Sequence, residues 1–91
     1  MRITQRAQAH LGAIQVYISD DNPVAAQRVG FRIRAACETL CSFPRIGRAG
    51  LAPGTREWPV RGLPYVIVYH VTDAELVIVG VFHSARINRT G

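Results

Sequence analysis

The chain has no lysine; all eleven of its basic residues are arginine. It therefore offers no side-chain amine that could be tuned for acid–base work, and arginine stays protonated. Cysteine is almost as scarce. Cys37 and Cys41 stand four apart on a predicted helix and share a face. With no further Cys or His nearby they make no zinc site, and we expect two small, buried, reduced side chains. No apolar run approaches the ~20 residues of a membrane span, so no membrane partner is expected. The longest, Val66 to Val71 and Leu76 to Phe82, are β-branched and of strand length. The N-terminus lacks the basic, apolar, small-residue order of a signal peptide, and a cytoplasmic location is expected. The glycine-bearing stretch 45–54 lacks the Lys-Ser/Thr of a phosphate-cradling loop and reads as a connector.

What is present is apolar and basic. At 91 residues the chain is one domain, 1–91, with one modest core. Its apolar fraction of 48% exceeds what so small a core hides, which points to a protein partner. A net charge of +5 favours an acidic partner or nucleic acid.

Taken in order, Met1 to Ile3 is long enough only to pair at a sheet edge. Thr4 suits the N-cap of a first helix ending near Ser19, with Ala7, Leu11, Ile14 and Ile18 as its apolar stripe. Asn22 as N-cap and Pro23 at the first helical position restart the chain. This second helix runs to about Cys41 on a stripe of Ala26, Val29, Ile33, Ala36, Cys37 and Leu40. The short joining loop makes the pair antiparallel, a hairpin over about 4–42. The sheet follows over about 55–84, and 85–91 is a polar tail. Pro59 puts the first of these strands at an edge or a bulge, and Gly80 marks a bulge or a close backbone approach in the last. The last two strands alternate apolar sets on both faces: Tyr65, Ile67 and Tyr69 against Val66 and Val68, then Leu76, Ile78 and Phe82 against Val77, Val79 and Val81. Strands of this kind are covered on both faces. The helices cover one. A partner on the other would meet Val66, Val68, Val77, Val79 and Val81, with Trp58 as an aromatic anchor or a cover for the core's edge.

Six ordered pieces carry a resemblance. They are the Ala7–Leu11–Ile14–Tyr17–Ile18 stripe, Asn22-Pro23 with Ala25-Ala26, Leu40 with Phe43-Pro44 and Gly47-Arg48, Gly54-Thr55-Arg56-Glu57, Pro64-Tyr65 with Tyr69, and His83 with Arg86. Together they resemble the ParE branch of the RelE/ParE toxins of bacterial toxin–antitoxin pairs, across nearly the whole chain. Two departures stand out: the opening strand is shortened to Met1–Ile3, and His10 replaces an acidic residue common before Leu11. The resemblance implies an α+β fold, an N-terminal antiparallel helical hairpin packed on a small, mainly antiparallel three- to four-stranded sheet. It implies a toxin without cofactor, neutralised by a cognate ParD-like antitoxin in a hetero-oligomer. Operator DNA would be reached only through that antitoxin.

Branches of the superfamily inhibit DNA gyrase or cut messenger RNA. Cutting RNA needs a base for the 2′-hydroxyl, an acid for the leaving oxygen and cations for the phosphate. Arg56, Glu57, His83 and Arg86 are the candidates, but Arg56 and Glu57 are strand neighbours that point to opposite faces. Ribonuclease members commonly carry a tyrosine near the C-terminal histidine; here Ser84 follows His83 and no tyrosine follows Tyr69. Gyrase inhibition is therefore the expectation, through Phe82, His83, Arg86 and Arg89, with metal-independent RNA cleavage as the alternative.

Overall fold

The structure, a computed structural model, describes residues 1–86. Its elements are β1 (Arg2–Ile3), α1 (Gln5–Ser19), α2 (Pro23–Ser42), β2 (Arg48–Ala49), β3 (Arg56–Pro59), β4 (Tyr65–Val71) and β5 (Leu76–His83), then a 3-10 turn, Ser84–Arg86. One five-stranded sheet has the order β1-β5-β4-β3-β2. Only β1 runs parallel to its neighbour; the other pairings are antiparallel. The fold is α+β as the sequence implies, with one strand more than expected. The extra strand is β2, inside the 45–54 segment that reads as a connector: Arg48 and Ala49 pair with Glu57 and Arg56. Pro59 sits on β3 beyond the reach of β2, where its missing N–H leaves no ladder bond unmade.

Both helices begin where their caps predict. The Thr4 hydroxyl accepts from the Ala7 N–H at 3.1 Å, and the Asn22 side chain accepts from the Ala25 N–H at 3.1 Å. The two helices differ in how they are held. On α2 the whole predicted stripe is buried, Leu40 completely. On α1 only Ala7 is buried, while Leu11, Ile14 and Ile18 are half-buried. Full burial of a Leu, Ile or Val contributes about 1.5–3 kcal/mol, so α2 supplies more of the buried apolar surface, while α1 packs closely on α2 and along β5. Cys37 is buried as expected, and burial, Cys41 and Glu38 all push its thiol pKa up. Cys41, by contrast, is exposed.

In β5 the register breaks once. Tyr69 faces Ile78 while Val68 faces Gly80, which leaves Val79 without a partner. This bulge shifts the alternation by one. Leu76 and Ile78 face the helices, and so does Val81, opposite Ile67. Phe82 is turned to the other face, opposite Val66. Two expectations are thereby corrected: Val81 belongs to the helix-covered core, and Phe82 leaves it. Trp58, opposite Ile67, also packs against the core. The second face of the sheet is less open than the sequence implies. Val66 and Val77 are buried at 3% and 1% exposure, while Val68 and Val79 are half-buried.

The segment between α2 and β3 is held by buried polar groups. The Tyr69 hydroxyl donates to the Pro44 carbonyl at 2.8 Å and accepts from the Gly47 N–H at 2.9 Å. A Cβ on Gly47 would lie 2.5 Å from that same hydroxyl, so only glycine fits. Tyr69 itself is fully buried. Tyr69→Phe orphans the Gly47 N–H and the Pro44 carbonyl, and we expect a loss of about 1–3 kcal/mol in urea unfolding. For a chain of this size that corresponds to a Tm lowered by roughly 5–15 °C. A melt indistinguishable from wild type would show that the hydroxyl does not hold the loop.

Candidate functional site

A cleft of about 790 Å³ opens between α1 and the end of β5. Its helix wall is His10, Ala13, Ile14 and Tyr17; its sheet wall is Tyr65, Val81 and Phe82. Pro64, His83, Ala85 and Arg86 complete the rim. The cleft opens past the point where β1 ends at Ile3. The two residues of β1 cover β5 only at Val77 and Ile78, and beyond them α1 lies along the strand's edge. There the Val81 N–H, without a strand partner, donates to His10 Nδ1 at 3.2 Å. This is the role of the histidine that stands in place of an acidic residue.

Phe82 is the apolar centre of the rim. Its ring lies 4.8 Å from the His10 ring, and the Arg6 guanidinium sits 5.8 Å above its face. Gly80 makes this possible, since a Cβ there would fall 2.5 Å from the Phe82 ring and 3.3 Å from His10. His83 is exposed at the strand end. Its Nδ1 accepts from the Ala85 N–H at 3.1 Å, and its ring meets Tyr65 edge-on at 5.6 Å. It thus caps the turn that carries Arg86 to the rim. Among the described residues the charges here are cations, Arg86 on the rim and Arg6 over Phe82, so the cleft suits an apolar side chain flanked by carboxylates.

Of the residues expected at the site, Phe82, His83 and Arg86 are brought together here. Arg89 lies outside the described residues. Arg56 and Glu57 are elsewhere. Arg56 is opposite Tyr69 and His83 opposite Tyr65, two strands apart and four residues along, or about 16 Å between backbones. Both are also engaged. Arg56 donates to the Arg45 carbonyl at 3.1 Å and the Gly47 carbonyl at 2.8 Å. Glu57, only 2% exposed, pairs with Arg48 at 3.4 Å and accepts from the Leu51 N–H at 3.3 Å. The four ribonuclease candidates therefore do not form one site. His10 and Tyr17 line the cleft and Arg6 sits over Phe82, none of them expected there; Tyr17 stood in the first motif only as part of a helix stripe, and position 10 only as an unusual residue. Among the described residues no group of three His, Cys, Asp or Glu side chains is placed to hold a metal ion. No described helix is long and apolar enough to cross a membrane.

The fold has a close solved counterpart. A chain of the chromosomal ParDE toxin–antitoxin system from P. aeruginosa superposes with a TM-score of 0.79, covering 90% of this chain and 91% of that one at 24% identity. That likeness defines the fold. The sequence goes further: residues 1–88 match the model of the ParE toxin of the type II toxin–antitoxin system parDE, and the chain belongs to that family. Toxin RelE2 of Caulobacter vibrioides is 43% identical over 84 residues, 92% of this chain and 93% of the relative. The protein Y4kP of Sinorhizobium fredii is 40% identical over 85 residues, 92% of this chain and 88% of its own length.

His10 gives the site a pH signature. Its pKa is lowered from the ordinary 6.5, first by burial and then by the Arg6 charge. The unfolded chain therefore takes up the proton before the folded one does. The stabilisation is fully present above pH 6.5 and is lost as the pH falls below it. Protonation also sets an imidazolium N–H against the Val81 N–H. Urea unfolding at neutral and mildly acidic pH should show this loss, and His10→Gln, which keeps an acceptor but does not titrate, should reduce it. Equal pH slopes in the two proteins would remove His10 as the cause.

Proposed function

We propose that this toxin acts by inhibiting DNA gyrase, and that a cognate ParD-like antitoxin neutralises it in a hetero-oligomer. The observation that carries this reading against RNA cleavage is the separation of Arg56 and Glu57 from His83 and Arg86. Without them the cleft and its rim hold, among the described residues, two histidines and arginines but no carboxylate; His10 accepts from the Val81 N–H and His83 from the Ala85 N–H. What remains is a basic, aromatic-centred surface suited to gripping another protein. Phe82, His83 and Arg86 form its described part, with Arg89 as a further contact. The name of the Caulobacter relative, RelE2, keeps the ribonuclease alternative in the test.

The antitoxin is expected to be an acidic and apolar segment. The cleft beside Phe82 matches it in charge and depth, and the half-buried Val68 and Val79 continue the surface on the second face, over the buried Val66 and Val77. Trp58 and Val81, turned to the core, leave the contact set. Operator DNA is reached through the antitoxin, since neither α1 nor α2 groups its arginines with base-reading Asn or Gln on one face.

Purified, antitoxin-free protein tested in parallel on gyrase with relaxed plasmid and on translating ribosomes should abolish supercoiling and leave messenger intact. Arg86→Ala should weaken inhibition about tenfold or more, as loss of a central contact does. Truncation after His83 should abolish it. Cut messenger with normal supercoiling would overturn the gyrase reading, and so would full inhibition by the truncated chain.

A further inference from the structure

The large apolar side chains that this fold leaves uncovered are not on the sheet. Val16, Val24 and Phe31 are 63%, 64% and 69% exposed on the two helices. On α2, Val24, Arg28, Phe31, Ala35, Glu38 and Ser42 recur at alternating steps of four and three, and all six are exposed. That is the spacing of a helix-pairing seam. It runs opposite the buried stripe that holds α2 to the sheet. Nor does α1 obstruct it: Ala9 is small and exposed, and a Cβ on Gly12 would meet open space.

The seam is complementary to itself. In an antiparallel pair centred near Ile33, Phe31 of one copy faces Ala35 of the other, and Arg28 faces Glu38. Two-fold symmetry makes each contact twice, a large side chain over a small one and a cation against a carboxylate. A parallel pair would instead set Arg28 on Arg28 and Phe31 on Phe31. Glu38 is the one carboxylate on α2. A purely acidic partner helix would put like charge against it, whereas a second copy answers it with arginine.

We propose that two copies of this chain associate through the outer face of α2, antiparallel, with Phe31 packed on Ala35 between two Arg28–Glu38 pairs. The net charge of +5 opposes the approach of two copies at long range, and a seam of this length lies at the small end of specific interfaces, below about 1,200 Å². The dimer is accordingly of micromolar strength. This face is separate from the cleft, so the pairing does not rest on the gyrase reading.

Sedimentation of the purified chain across the micromolar range should show a reversible monomer–dimer equilibrium. Arg28→Glu and Glu38→Arg should each weaken it about tenfold or more by opposing like charges. The double exchange, R28E with E38R, should restore it. Within one helix these residues stand roughly 15 Å apart, too far to touch, so rescue reports contact between copies. Circular dichroism melts matching wild type would exclude misfolding as the cause. A monomer at every concentration, or a double exchange that fails to rescue, would overturn the proposal. It would also fall if the chain stays monomeric and Phe31→Asp abolishes antitoxin binding, since the face would then belong to that partner.

Discussion

The unpaired residue Val79 governs more of this molecule than any side chain does. By inserting one residue into β5, it places Ile78 and Val81 on the same face although they are three apart. The core gains Val81 above Ile67, and Phe82 is sent to the opposite face. Gly80 leaves the room that Phe82 then needs. A bulge bends and twists its strand, and this one comes just after the short β1 ends. The aromatic rim of the cleft and the edge N–H of Val81 that His10 accepts follow this insertion along the strand.

A second constraint explains which polar residues are committed to structure. The chain between α2 and β3 must cross the end of the sheet, and its backbone groups need partners there. Tyr69 from β4, with Arg56 and Glu57 from β3, supplies them. A buried carboxylate is tolerated only when paired and hydrogen-bonded, and Glu57 has both Arg48 and the Leu51 N–H. The residues most suggestive of acid–base chemistry in the sequence are thus the ones that fold the loop. The rim that remains open carries charge and aromatic surface without a reacting pair.

The helical layer divides its work unevenly. α2 carries the core and presents an ordered exposed face. α1 is gripped at Ala7 and flanked by the 790 Å³ cleft on one side. A second space of about 410 Å³, lined in part by Ile3, Leu11, Ile33 and Cys37, lies on the other. A small domain with that much unfilled volume beside one helix gains from any partner that fills it, and the excess of apolar residues in the composition finds its physical place here and on the outer face of α2.

The helices were legible in the sequence because their signals are local. Thr4, Asn22 and Pro23 act within one turn, and the α2 stripe needs only the 3.6-residue period. The hairpin from β4 to β5, the edge position of β1 and the demand for glycine or a bulge at position 80 follow from similar short-range rules. The faces of β5 did not follow. One inserted residue inverts every side chain after it, and nothing between Leu76 and Phe82 marks where the insertion falls except Gly80. Likewise, the sequence could show that Arg56 and Glu57 point apart, but not that β4 stands between them and His83. By itself the sequence determined the elements, the charge and the family likeness. Only the tertiary structure decided which residues share a site, because strand register and order are set by contacts between segments far apart in the chain.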